Sequence, residues 1–145
     1  MIANMLSSGQ RKYYDAMLKN AKNVECVSLS EVFTEREIRL IAKAINPREK
    51  ECYRNAHLLT QLFPDRVRYV EGQTAVCGIS IDHAFNKVDD KYVDLTLEFC
   101  LKENIKEKEY LSIGEYDIKT ITEVALETQY YGDIFRNIFI KNLKK

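Results

Sequence analysis

Apolar residues recur at helical spacing over the first third of the chain and at every second position through its middle. Tyr14, Met17, Leu18 and Ala21 stand at i, i+3, i+4 and i+7, which predicts an amphipathic helix over about residues 9–22. A second helix begins at Thr34, because Thr34-x-x-Glu37 has the spacing of a capping box, and Ile38, Ile41 and Ile45 form its buried stripe. Asn46-Pro47 ends it, since the residue before a proline is pushed out of helical geometry. A third helix sets Cys52, Ala56, Leu59 and Phe63 on one face and stops at Pro64-Asp65.

Beyond Pro64 the period changes. Val67 to Glu71, Ile79 to Val88 and Tyr92 to Phe99 alternate or carry β-branched and aromatic residues, with Gly72, Gly78 and Asp89-Asp90 as punctuation. These predict a small antiparallel sheet, to which Tyr110 to Tyr116 adds a strand. Ile118, Ile121, Val124, Ala125 and Thr128 return to helical spacing until Gly132, and Ile134, Phe135, Ile138 and Phe139 suggest a short last helix. Helices, then a meander, then helices define an α+β fold in which helices pack on an antiparallel sheet.

Composition narrows the function classes. The 145 residues, 46% of them hydrophobic, are expected to form a single domain over 1–145 with a core of its own. Lys and Arg number 22 and Asp and Glu 22, so the zero net charge disfavours the basic footprint that nucleic-acid binding needs. The stretch Met1 to Gly9 is too short and interrupted for a signal peptide, and no run approaches a membrane span, so the expectation is a soluble cytoplasmic protein. Cys26, Cys52, Cys77 and Cys100 form no C-x-x-C pair, so neither a zinc site nor a dithiol motif is implied. Free thiols are expected.

The two histidines decide which cysteine can do chemistry, because a thiol nucleophile needs a nearby base. His57 follows Cys52 by five residues on one helix, which turns it about 140° around the axis from that thiol. His83 stands instead on a strand whose Ile79, Ile81, His83 and Phe85 share a face. If Asp89-Asp90 closes a hairpin, Phe85 lies opposite Asp94 and His83 opposite Thr96, making His83 and Asp94 diagonal neighbours about 7–8 Å apart at the backbone. A carboxylate there fixes the tautomer and orientation of the imidazole.

Glu51-Cys52-Tyr-Arg-Asn55-Ala56, Tyr69-Val-Glu-Gly72, His83-Ala-Phe-Asn86 and Tyr92-Val-Asp94-Leu-Thr96 together resemble the transglutaminase-like branch of the papain-like cysteine protease superfamily. In that family a nucleophilic Cys opens a helix packed on an antiparallel sheet, a His-Ala-Trp-Asn-like strand supplies the base, and the following strand supplies an Asp. The resemblance covers about residues 50–97, with Phe85 where the family usually has Trp. It implies a papain-like or transglutaminase-like core in which Cys52 is the nucleophile, His83 the general base and acid, and Asp94 its orienter. The animal crosslinking enzymes carry large further domains that this chain lacks, so their activity is not implied. If Asn46-Pro47-Arg48-Glu49 caps the third helix, Cys52 falls in its second turn, where the helix dipole acts less strongly on the sulfur.

The function expected from this resemblance is a cysteine hydrolase or acyltransferase acting on an amide or thioester bond through an acyl-enzyme, with a protein or peptide substrate. No cofactor or metal is implied, and neither a nucleic acid nor a membrane is an expected partner. The backbone N–H of Cys52 would serve the oxyanion together with a side-chain amide, for which Asn46, Asn55 and Gln73 all stand open. Asn86 is expected to secure the strand carrying His83, and Cys26, Cys77 and Cys100 to be buried structural residues. The alternative class is a non-catalytic binding protein or inhibitor of a host or defence enzyme that reuses this scaffold.

Overall fold

The structure, a computed structural model, describes residues 7–145; the first six residues of the stretch read for a leader lie outside them. Helix α1 spans Ser8–Asn20 and opens with a capping box in which Ser7 and Gln10 bond each other's backbone. Its inward side carries Tyr13, Ala16 and Met17, while Tyr14 and Leu18 of the expected stripe are exposed. Tyr13 draws the helix inward by packing its ring against Phe135 and Phe139 at 5.8 and 5.3 Å. Helix α2, Glu35–Ala44, starts at the expected Thr34–Glu37 capping box, and α3 is Cys52–Leu62. Among the described residues no helix is long and apolar enough to cross a membrane.

Five antiparallel strands curl into a half-barrel in the order β1-β5-β2-β3-β4: β1 Lys22–Val24, β2 Val67–Val76, β3 Ile79–Val88, β4 Lys91–Val93 and β5 Tyr110–Tyr116. Helices α4, Ile118–Thr128, and α5, Ile134–Leu143, complete the chain. One face of β2 and β3 gives Tyr69 and Ala84 to a cluster with Ala56 of α3 and with Ile121, Val124 and Ile134. The opposite face gives Val70 and Phe85 to the inside of the curl, with Cys26, Tyr92, Leu97 and Tyr110. Asn86 ties the layers together as expected, its amide donating to the Ala56 carbonyl at 2.9 Å and to Thr60 at 3.1 Å.

Two strand limits differ from the sequence reading. Gly72 does not end a strand. It sits within β2 where the register with β5 shifts, and a Cβ there would run into the Leu111 carbonyl oxygen, so the residue is glycine because a neighbouring backbone passes too close for anything larger. The strand expected over Tyr92 to Phe99 stops at Val93, and Thr96–Cys100 form a π-helical turn. Asp94 causes the break by accepting the Leu97 N–H on its own side chain at 3.1 Å, which offers the backbone a helical turn in place of a ladder.

Candidate active site

The hairpin register read from the sequence holds while the strands last, pairing Val88 with Lys91, Lys87 with Tyr92 and Asn86 with Val93. It stops before His83 reaches Thr96. Asp94 therefore meets His83 from just beyond the end of β4, where the turning backbone aims its carboxylate back under β3. His83 Nε2 lies 2.8 Å from Asp94 Oδ2, with the imidazole 3% and the carboxylate 0% exposed. All the partners of Asp94 are potential donors, so the bond is read as Nε2–H donating to the carboxylate. Phe85 stacks alongside the imidazole with ring centroids 6.3 Å apart.

Cys52 approaches from the opposite side. It is the first residue of α3, half-buried, and Glu51 before it makes no side-chain cap, so the helix opens with N–H groups that its N-cap side chain does not satisfy. Its side chain lies within hydrogen-bonding reach of the His83 imidazole. Because Nε2 is engaged by Asp94, Nδ1 is the nitrogen left for the sulfur. Burial works against a charged imidazole, but the hydrogen bonds and charges of Asp94 and Cys52 outweigh it and push the His83 pKa up to about 10. The structure thus brings Cys52, His83 and Asp94 into one site with the imidazole in the middle.

The loop before α3 and the turn after β4 are fastened to each other by Asn55. Its amide nitrogen donates to the Arg48 carbonyl at 2.8 Å and to Thr96 at 2.9 Å, and its oxygen accepts the Arg48 N–H at 3.1 Å. Both amide protons are spent, which removes Asn55 from the open oxyanion candidates. The Gln73 amide reaches Asp82 at 3.3 Å, and Asn46 is an exposed residue with φ 48° at the end of α2.

A groove of about 280 Å³ runs from His83 between α1 and α5, walled by Tyr13, Met17, Tyr53 and Phe135 and edged by Asp82 and Asp133. Glu71 shapes its floor: the carboxylate accepts the N–H groups of Ile134 and Phe135, each at 2.9 Å, and the Tyr69 hydroxyl at 2.6 Å. It thereby caps α5, which otherwise opens on Asp133 in a left-handed conformation with no side-chain cap. Gly132 lets this loop lie flat on Tyr53, since a Cβ would stand 2.7 Å from the ring. Among the described residues no group of three or more His, Cys, Asp or Glu is arranged to hold a metal ion.

His57 lies apart from the site with its edge against the Tyr131 ring at 4.8 Å, Nδ1 buried without a partner, and burial lowers its pKa. Cys26 is buried as expected and Cys100 half-buried, whereas Cys77 is exposed. It occupies the turn between β2 and β3 at φ 51°, where a two-residue hairpin loop holds its side chain away from the core. One group in contact with the site escaped the sequence reading: Tyr110 on β5, whose hydroxyl lies 2.6 Å from Asp94 Oδ2. No protein-family model matches this chain, and no curated protein or solved structure is significantly similar to it.

Proposed function

We propose that this protein is a cysteine hydrolase or acyltransferase built on a core similar to that of the transglutaminase-like branch of the papain-like superfamily. The observation that carries the reading is the imidazole of His83 held between the Cys52 thiol and the buried Asp94 carboxylate, 2.8 Å from the latter, at the open end of α3. Cys52 sulfur attacks an amide or thioester carbonyl, and His83 Nδ1 carries the proton that the thiol gives up. The tetrahedral oxyanion is met by the backbone N–H of Cys52, the first of the uncapped donors of α3. As it collapses, the imidazolium passes its proton to the leaving amine or thiol, which departs and leaves a thioester on Cys52. Water or an amine then attacks that thioester, giving its proton to His83 and releasing an acid or a new amide together with the free thiol. Asp94 keeps Nε2–H pointed at itself throughout.

Phenyl thioacetate tests this without knowledge of the natural substrate. Mixing should release about one equivalent of thiophenol in a burst, with acetyl on Cys52 by peptide mass spectrometry. Cys52→Ala should abolish the burst and His83→Ala slow it by about a hundredfold or more. A burst that survives Cys52→Ala, or no acetylation of Cys52 in the parent, overturns the catalytic reading and leaves a scaffold that works by binding.

A further inference from the structure

Asp94 is fully buried and accepts three hydrogen bonds: from Leu97 N–H on Oδ1, and from His83 and Tyr110 together on Oδ2. The Leu97 bond belongs to the turn and the His83 bond to the reaction proposed above. The Tyr110 bond, at 2.6 Å the shortest of the three, serves neither. Tyr110 is 2% exposed and comes from β5, which reaches the site from across β2, so two separate strands, β3 and β5, converge on one carboxylate oxygen. A tyrosine hydroxyl has one proton, and a carboxylate has none to offer in return, so the phenol is the donor. Burial, joined by the charge of Asp94, pushes the phenol far above its ordinary range, so it remains a donor across the working pH.

We propose that Tyr110 is a positioning residue of this site: by donating to the oxygen that His83 also uses, its hydroxyl holds Asp94 in the rotamer that orients the imidazole and weakens the carboxylate's pull on the imidazolium proton. The inference rests on the Cys52–His83–Asp94 reading. A carboxylate oxygen shared between two donors gives less to each than it gives to one. The other titratable groups facing the pair are Cys52 from α3, Cys26 after β1, and Glu98 and Cys100 from the π-helical turn. Tyr110 is the neutral group whose proton enters the hydrogen bond itself.

The test follows the imidazole. In protein carrying 13C-labelled histidine, His83 should hold its proton to a pH about half to one unit higher in Tyr110→Phe than in the parent. Site-specific 3-fluorotyrosine at position 110, a more acidic phenol of nearly the same shape, should move that midpoint the opposite way. It keeps the question answerable if the Phe variant folds poorly. In a Cys77→Ala background, the pH profile of iodoacetamide alkylation of Cys52 should shift in the same two directions. A general loss of packing would lower melting without producing opposite, signed shifts. Titrations that superimpose on the parent's, while His83→Ala still slows Cys52 alkylation, overturn the positioning role alone. If His83→Ala leaves Cys52 alkylation unchanged, the underlying reading fails with it.

Discussion

Cys52 and Cys77 are both within reach of solvent, but only Cys52 has an imidazole beside it. Accessibility alone therefore predicts that half-buried Cys52 labels more slowly than exposed Cys77, whereas an activated thiol predicts that it labels at least as fast. Under brief iodoacetamide treatment near neutral pH, Cys52 and Cys77 should both be modified ahead of Cys26 and Cys100, whose thiols burial pushes up. His83→Ala should slow Cys52 about tenfold or more and leave Cys77 untouched, so that Cys77 acts as an internal control. Peptide mass spectrometry over a time course reads both sites at once, and parallel slowing at the two would count against a role for the imidazole.

At the scale of elements, the site depends on how α3 and the π-helical turn are held. Asn55 links them, and Asn55→Ala strips partners from the Arg48 backbone and from Thr96 in a buried setting. The expected cost is about 2 kcal/mol in urea denaturation, with a fall in the thioester burst larger than global unfolding explains, because the turn it anchors begins at Asp94. Two glycines provide a contrast. Gly72→Ala forces β2 and β5 apart at the bulge and should destabilise by about 1–3 kcal/mol. Gly9→Ala in α1 meets nothing within 4 Å and should stabilise by a few tenths up to about 1 kcal/mol, since alanine loses less entropy in a helix. Equal effects at the two positions would mean that the β2–β5 contact is slack.

For the molecule as a whole, the two histidines set opposing limits on stability against pH. The folded pKa of His83, about 10, lies above the unfolded value of about 6.5, so between those pH values the native state binds the extra proton. The stability His83 contributes is complete below about pH 6.5 and is lost as the pH rises through about 10. His57 works the other way. Burial lowers its pKa, so the unfolded chain takes up the proton first and stability falls as the pH drops below about 6.5. Urea midpoints for the parent, His83→Ala and His57→Ala should show the alkaline limb flattened in the first variant and part of the acid limb in the second. An unchanged alkaline limb in His83→Ala would mean that the imidazole does not carry its proton into that range.

The helices were legible because their signals are local. The Thr34–Glu37 capping box, the Pro47 stop and the return of a 3.6 period after Tyr116 each depend on residues within a turn or two of one another. The Asp89-Asp90 turn likewise determined the β3–β4 register, and with it the approach of His83 and Asp94, since hairpin pairing follows from loop length alone. The strand's early end did not show, because Val93 to Phe99 alternates as a strand does, and only the competition of the Asp94 side chain for the Leu97 N–H turns it into a π-helical turn. On α1 the spacing marked Tyr14 and Leu18, while the partners that exist in space, Phe135 and Phe139, selected Tyr13. Tyr110 and Gly72 lay furthest from sequence reading. What each does depends on β5 crossing to pair with β2, a contact between segments more than 30 residues apart that no local pattern encodes. The sequence by itself determined which residue types could meet and on which side of each element. The tertiary structure decided which of them do, because only packing brings distant backbones close enough for a hydroxyl to find a carboxylate or for a Cβ to be excluded.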